Sequence, residues 1–297
     1  MSSKLPPIRV VHHWACSGGT IISRSLAQLP NVVLLSEVHP LAHLRLHAPS
    51  SGYQPTDVVQ QLSLAHNGRD PVLCMAAWQG SILALQEAVS QQNQILVLRS
   101  HSHIDFFCGG LAAEETLVSR SLRPNAALLE LLTVRHPLDS WLSILNNQWH
   151  LHFAGADLES FCRRALRMLE ACQAMSWLRY EDFSLRPAAA LEAMANVLQL
   201  DPVTSNLSDQ GIQAIQLSGD SGRRADVISA RLRRPIPETQ QRAVDQVLDP
   251  DTNSSYLKLC HLLGYDPDPK AAHPFLIPRA ELPHRIELGP AGPTTES

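Results

Sequence analysis

The chain of 297 residues lacks a large net charge and a long uninterrupted apolar run. Its formal charge at pH 7 is -4, so it has no overall positive field to attract nucleic acid or an anionic membrane surface. No run of about 18 consecutive apolar residues occurs, and the N-terminal sequence MSSKLPPIRVV has no apolar segment before the first predicted strand. We therefore expect a cytoplasmic protein without a nucleic-acid partner or a membrane anchor.

Disulfide and metal-binding patterns are also missing. The six cysteines contain no C-x-x-C pair and no metal-ligand spacing. We expect reduced thiols and no metal. The G-x-x-x-x-G-K-[ST] signature of phosphate-loop kinases is absent, and the predicted strand 130–135 ends in arginine instead of a magnesium-binding aspartate. A kinase is therefore disfavoured.

Short apolar runs alternate with helical stretches, and 44% of the residues are hydrophobic. This alternation is typical of βα units, which form three layers with a mostly parallel central sheet flanked by helices. The predicted strands are 8–14, 32–35, 94–99, 130–135 and 177–180. The predicted helices are 19–29, 56–66, 74–91, 137–147, 157–175, 187–199, 238–248 and 253–263. No composition break interrupts residues 8–265, and residues 1–265 are expected to form one α/β domain. The proline-rich residues 266–297 are expected to be extended or disordered.

The most informative segment is residues 8–26, IRVVHHWACSGGTIISRSL. An apolar strand enters a glycine-containing turn, and the turn opens into an amphipathic helix. Adjacent glycines let backbone N–H groups converge where the helix dipole is positive, which favours a phosphate or a sulfate. The predicted anion-binding residues are Cys16, Ser17, Gly18, Gly19, Thr20 and Ile21. The alternative is a tight βα turn without a ligand.

A second candidate anion site follows the strand in residues 130–147, ELLTVRHPLDSWLSILNN. Arg135 ends the strand, and Ser143 lies on the helix that follows. An arginine and a serine in these places can hold a phosphate together. Two anion sites at one sheet indicate a ligand that is phosphorylated at both ends.

Together these segments resemble the sulfotransferases that use 3'-phosphoadenosine 5'-phosphosulfate (PAPS). That family binds the 3'-phosphate through an R-[DNH]-P-x-D-x-x-x-S pattern, which Arg135, Pro137, Asp139 and Ser143 match. Residues 178–200 are similar to the family's RYEDL…P…L…FLGL segment. The matching residues there are Arg179, Tyr180, Glu181, Asp182, Pro187 and Leu191. The resemblance implies a P-loop-like fold and PAPS as the co-substrate.

The resemblance also implies a catalytic base. Cytosolic sulfotransferases carry a catalytic histidine in a K-T-H segment at a strand end, and Arg99, Ser100 and His101 match that segment. His101 is therefore the first candidate for the general base. Glu37, in LLSEVHP, is the second candidate, because some sulfotransferases use a glutamate in a similar loop.

One departure concerns the cation that the family loop carries directly before its Ser-Gly-Thr, where this chain has Cys16. Loss of that cation would cost about 3 kcal/mol in the transition state. The candidate substitutes are His12, His13, Arg24 and Arg99. Tyr180 and Trp14 are candidates to border or stack on adenine, and Arg223 and Arg224 resemble a late basic loop of the family that contacts the 3'-phosphate.

These observations predict a transferase that moves a sulfuryl group from PAPS to a hydroxyl or an amine of a small molecule or a glycan. A non-catalytic nucleotide-binding protein with the same fold is the main alternative, and a phosphate-loop kinase is the other. The sequence contains no pattern that identifies the acceptor or the oligomeric state.

Overall fold

The computed structural model describes residues 5–41, 62, 70–108, 114–155, 157–202, 207–215, 217, 228, 236, 238–245, 247–271 and 282–288. Apart from residue 62, the predicted helix 56–66 lies outside the described residues, and so do Arg223 and Arg224.

Strands and helices alternate along the described part of the chain. In order, they are β1 (Ile8–His13), α1 (Gly19–Leu26), β2 (Val32–Val38), α2 (Pro71–Gln91), β3 (Ile95–Ser100), α3 (His103–Phe106), α4 (Leu117–Leu122), β4 (Leu128–Val134), α5 (Pro137–Asn146), α6 (Leu158–Ala171), β5 (Ser176–Arg179), α7 (Tyr180–Leu185), α8 (Pro187–Leu198), α9 (Asp209–Ala214), α10 (Gln241–Asp245) and α11 (Pro250–Leu263). Short 3-10 helices cover Trp149–His152 and Glu238–Gln240.

The five strands form a parallel sheet in the order β2-β3-β1-β4-β5. β1 lies in the middle of the sheet. After β1 the chain passes β3 and reaches β2 at one edge of the sheet, whereas after β4 it continues to β5 at the opposite edge. Diverging connections of this kind open a crevice between the carboxyl ends of the two strands, where ligands of open α/β sheets bind. The predicted α/β fold with a parallel central sheet is confirmed.

Helices cover both faces of the sheet. Val11 of β1 belongs to an apolar cluster with α1 and α8, and Val10, which points the other way, belongs to a cluster with α2 and α4. A third cluster joins Val134 of β4 and Trp177 of β5 to α5, α6 and α11. Since successive strand residues face opposite sides, the near-continuous apolar strands are buried between two helical layers.

The helix boundaries follow local capping. The Asp70 side chain accepts a hydrogen bond from the Val72 N–H at 2.8 Å, and Pro71 occupies the first helical position. Both features begin a helix, which is why α2 begins at Pro71 and not at the predicted residue 74. The short helices α3, α4, α7 and α9 were not predicted, because four to six residues are too few to display a helical period.

Helix α2 is apolar enough and long enough to cross a membrane by length and composition alone. Its most apolar window has a mean hydropathy of 1.3. Of that window, 28% is buried inside the structure, where α2 contacts β3 and α4 through a cluster that contains Trp78, Ile82 and Val89.

The described residues after Tyr265 contact the domain. The Trp177 N–H donates to the His284 carbonyl at 3.1 Å, and the Ile286 N–H donates to the Trp177 carbonyl at 2.8 Å. Residues 282–288 therefore continue the sheet beyond β5 through an isolated parallel bridge. Arg285 also pairs with Asp182 at 3.0 Å.

Candidate active site

The glycine loop, which we define as residues 14–18, joins β1 to α1 at the carboxyl edge of the sheet. Gly18 has a φ of 83°, a left-handed conformation that glycine adopts without strain. A Cβ at Gly18 would lie 2.1 Å from Cδ2 of Tyr180, so the Tyr180 ring packs directly on the loop. The Ile22 N–H bonds to the Gly18 carbonyl, and the N–H groups of the preceding helical residues point out of the helix, as at any helix start.

Arg135, directly after β4, extends to the glycine loop. Its Nη1 donates to the Cys16 carbonyl at 3.2 Å, and its guanidinium carbon lies 4.8 Å from the centre of the Tyr180 ring. Its buried Nε has no hydrogen-bond partner among the described residues. The structure thus brings both predicted anion-binding segments and Tyr180 together between β1 and β4.

Ser143 lies on α5 and is almost fully buried, with 2% of its surface exposed. Asn147, one turn later, connects this helix to the glycine loop. Its Nδ2 donates to the Ser143 carbonyl at 2.6 Å and lies 3.9 Å from Sγ of Cys16. Sequence reasoning did not single out Asn147, because an asparagine at a helix end is common without a ligand.

Glu37 lies where β2 loses its regular register with β3, between Leu35 and Val38. Its φ is 58°, a left-handed value that is uncommon for a residue other than glycine and that clusters at functional sites. Its Oε1 lies 2.5 Å from Nη2 of Arg99, and its Oε2 lies 2.9 Å from Nδ1 of His101. Burial acts to raise the pKa of Glu37, but the Arg99 charge and the His101 hydrogen bond outweigh it and hold that pKa well below its usual range.

His101 and His103 form a chain of hydrogen bonds with Glu37. A carboxylate only accepts, so Nδ1 of His101 carries the hydrogen that it donates to Glu37. Nε2 of His101 lies 2.7 Å from Nε2 of His103. Burial, with a smaller contribution from His101, holds the pKa of His103 well below its usual range, so His103 is the neutral partner in this contact. We call Glu37, His101 and His103 the Glu–His cluster.

Arg99, one of the candidate substitutes for the missing loop cation, lies beside Gly19, the first residue of α1. A Cβ at Gly19 would lie 2.9 Å from Nη2 of Arg99, whose Nη1 also donates to Oγ of Ser36 at 2.9 Å. Arg24, in contrast, lies in the last turn of α1.

The two histidines of β1 are not suited to replace the cation. His12 is fully buried and its Nε2 lies 3.2 Å from Oε1 of Glu130, so it belongs to a separate polar network. His13 contacts the Gly19 position, but burial, followed by the Arg99 charge, holds its pKa well below the usual range, so it carries no charge at neutral pH.

A buried carboxyl group supports the backbone next to Arg135. Oε1 of Glu181 accepts from the His136 N–H at 3.0 Å, and its Oε2 accepts from the Tyr265 hydroxyl at 2.7 Å. Burial raises the pKa of Glu181. Sequence reasoning singled out Glu181 only as a match to the RYED segment, and in the structure it connects the end of β4 to Tyr265, just after α11.

The aromatic predictions have different outcomes. Tyr180 borders the glycine loop. Trp14 does not line an open site: it is 1% exposed and packs edge-on against Phe161, with ring centres 6.3 Å apart. The prediction that Trp14 borders adenine is therefore wrong, because the side chain of this first loop residue turns into the core.

No protein-family model and no curated protein matches the chain. A sulfotransferase domain from the curacin biosynthetic pathway has a similar solved structure, with a TM-score of 0.53 and 17% sequence identity over 89% of this chain and 99% of that chain. A sulfotransferase from Alicyclobacillus acidocaldarius has a TM-score of 0.41 and 13% identity, over 70% of this chain and 88% of that chain. The parallel sheet of this chain and its similarity to the curacin-pathway domain together indicate a sulfotransferase-like fold.

Proposed function

We propose that the protein is a PAPS-dependent sulfotransferase. The observation that carries this proposal is the contact between Arg135 and the Cys16 carbonyl, which unites two anion-binding segments that are far apart in sequence. In the proposed complex, the N–H groups from Gly18 to Ile21 bind the 5'-phosphosulfate, while Arg135 and Ser143 bind the 3'-phosphate. Tyr180, on the loop and under Arg135, borders the adenine.

His101 is the proposed general base. Glu37 fixes the hydrogen of His101 on Nδ1, which leaves the Nε2 lone pair to take the acceptor's proton. The acceptor oxygen then bonds to sulfur while the bond between sulfur and the bridging phosphate oxygen breaks, and adenosine 3',5'-bisphosphate leaves. Because Nε2 of His103 lies 2.7 Å from this nitrogen, the acceptor hydroxyl has to displace His103 before the proton can move.

Arg99 is the proposed replacement for the cation that Cys16 removes from the loop. It lies beside the Gly19 position and is oriented by Glu37 and Ser36. A fixed positive charge there stabilises the negative charge that develops on the leaving oxygen, without reorganisation during the reaction.

The acceptor is proposed to be a small molecule or a glycan with a hydroxyl or an amine, and the protein is proposed to act in the cytoplasm. A non-catalytic nucleotide-binding protein is the alternative, and Cys16 is the feature that favours it. Both proposals share the nucleotide site and differ only in turnover.

A two-step experiment tests the proposal. Adenosine 3',5'-bisphosphate should raise the melting temperature, and adenosine 5'-monophosphate, which lacks the 3'-phosphate, should raise it less. At a concentration of 100 Kd, a ligand stabilises the folded state by about 2.7 kcal/mol. Labelled PAPS with a metabolite extract should then give a sulfated product in mass spectrometry. A thermal shift without any product would favour the binding protein, and no shift with either nucleotide would contradict both.

A further inference from the structure

Residues 282–288, which we call the C-terminal segment, have a fixed place beside β5. Besides the two backbone hydrogen bonds with Trp177, the indole Nε1 of Trp177 donates to the Pro283 carbonyl at 2.8 Å. Ile286 is 8% exposed and belongs to the apolar cluster formed with α1 and α8. These contacts fix the backbone on either side of Arg285.

Arg285 connects the C-terminal segment to α7. Its Nη2 lies 3.0 Å from Oδ2 of Asp182, and the same oxygen accepts from Nε of Arg179 at 2.9 Å. The side chains of Asp182 and Arg285 are 9% and 19% exposed, and partly buried charges are screened much less than charges at the surface. Asp182 is therefore held from two sides, by the end of β5 and by the C-terminal segment.

Helix α7 depends on such contacts for its position. It has six residues, and its N-cap residue, Arg179, makes no side-chain capping hydrogen bond within the described part of the chain. Helices of this length are not stable by themselves in water, so tertiary contacts hold α7 in place. Asp182 lies in the first turn of the helix, and its pairs with Arg179 and Arg285 therefore act on the end that begins at Tyr180.

The first turn of α7 also carries the contact with the glycine loop. A Cβ at Gly18 would lie 2.1 Å from Cδ2 of Tyr180, and the guanidinium carbon of Arg135 lies 4.8 Å from the centre of the same ring. Tyr180 and Asp182 are two residues apart within one helical turn, so a displacement of Asp182 also displaces Tyr180. A shift of the ring changes its contacts with both the loop and Arg135.

We propose that Arg285 is a positioning residue of the proposed nucleotide site. It acts through Asp182 and through Tyr180, whose ring packs on the glycine loop. Without the charge of Arg285, fewer contacts hold the first turn of α7, and the Tyr180 ring stays against the loop for a smaller fraction of the time. The effect on nucleotide affinity rests on the proposed function, whereas the effect on the loop does not.

The first experiment measures the loop in the full chain without any nucleotide. Cys16, in the glycine loop, is partly exposed and the other five cysteines are buried, so an aromatic disulfide reagent in native buffer reacts with Cys16 first. The rate depends on access to the thiol, and in Arg285→Ala it should rise by about threefold or more. Arg285→Lys, which keeps a cation for Asp182, should restore the rate. Glu287→Ala, which alters an exposed side chain of the same segment, should leave it unchanged.

The second experiment measures binding of adenosine 3',5'-bisphosphate by calorimetry. The Kd should rise by about 3- to 30-fold in Arg285→Ala, and Arg285→Lys should recover most of the affinity. In a Tyr180→Ala background, Arg285→Ala should weaken binding no further, because its effect passes through that ring. Equal affinity of Arg285→Ala and the unchanged protein, or fully additive losses with Tyr180→Ala, would overturn the proposal.

The two experiments separate this proposal from the proposed function. Faster labelling of Arg285→Ala, in a protein that binds no nucleotide, would support the positioning of the loop and contradict the proposed function. An unchanged labelling rate would overturn the positioning, whether or not the nucleotide binds. If Arg285→Ala fails to fold, as judged by circular dichroism, Arg285→Gln replaces it, with the same expected changes.

Discussion

The carboxyl edge of the sheet has two regions that are built differently. Between β1 and β4, the site consists mainly of backbone: the glycine loop, the first N–H groups of α1, and one arginine that bonds to a carbonyl of the loop. At the carboxyl ends of β2 and β3, the site consists of side chains, since Glu37 pairs with Arg99 and His101. The first region is suited to hold an anion, and the second is suited to move a proton, so binding and chemistry should respond to different substitutions.

The largest expected effect is on turnover, at the β2–β3 region. His101→Ala removes the proposed base and should lower kcat by about 10²–10⁴-fold, while the thermal shift with adenosine 3',5'-bisphosphate remains. Mass spectrometry of the sulfated product measures the loss, and His152→Ala, which alters an exposed histidine, is the control. The reverse pattern, with full turnover in His101→Ala and none in Glu37→Ala, would assign the base to Glu37. If the two residues act as one unit, the double variant should lose little more than His101→Ala alone.

The next effect is on affinity, at the β1–β4 region. Arg135→Ala removes charge-assisted hydrogen bonds to the ligand, which should cost about 3 kcal/mol, or roughly 100-fold in Kd. Calorimetry with adenosine 3',5'-bisphosphate measures the change. Arg167→Ala, which breaks an exposed pair with Glu170, should leave the affinity unchanged. If Arg135→Ala and the unchanged protein bind the nucleotide with equal affinity, Arg135 does not contribute to nucleotide binding.

A pair of glycine substitutions compares the loop with an ordinary helix. Gly18→Ala places a Cβ against Tyr180 at a left-handed backbone position, so the free energy of unfolding should fall by at least about 1–2 kcal/mol. Gly80→Ala, in α2, meets no atom within 4 Å and should raise it by about 0.5–1 kcal/mol. Urea denaturation measures both changes. A Gly18→Ala variant as stable as the unchanged protein would mean that the Tyr180 ring does not have to pack on the loop.

The smallest effect concerns pH. The folded state keeps His103 neutral, while the unfolded chain takes up a proton on this histidine near pH 6.5, so the unfolded state binds more protons and stability falls as the pH drops below that value. The slope from His103 is at most about 1.4 kcal/mol per pH unit. Denaturation at pH 6.5 and pH 5.5 should therefore show a smaller loss in His103→Gln than in the unchanged protein. Equal losses in the two proteins would contradict a neutral His103 in the folded state.

The β1–β4 region was largely predictable. Glycines between an apolar strand and an amphipathic helix indicate a tight turn from the sequence alone. Arg135 and Ser143 are only eight residues apart, so their spacing can also be recognised in the sequence. The five strands were predicted for the same reason, since each is a short apolar run between turns.

The β2–β3 region was predictable only in part. Glu37 and His101 were both candidates, but as competing bases, and their direct contact depends on the pairing of β2 with β3 and on the register shift before Val38. His103 was missed because a second histidine at a strand end has no distinctive pattern. Arg99 was one of four possible cations, and choosing it requires distances to Gly19 that a sequence does not contain.

The contact of residues 282–288 with Trp177 has a practical consequence. Removing everything after Tyr265 would leave the backbone N–H and C=O of Trp177 in β5 without these partners, and open sheet edges pair with other molecules and promote aggregation. A shortened chain prepared for crystallisation should therefore extend at least to residue 288, and its solubility should drop when that segment is removed.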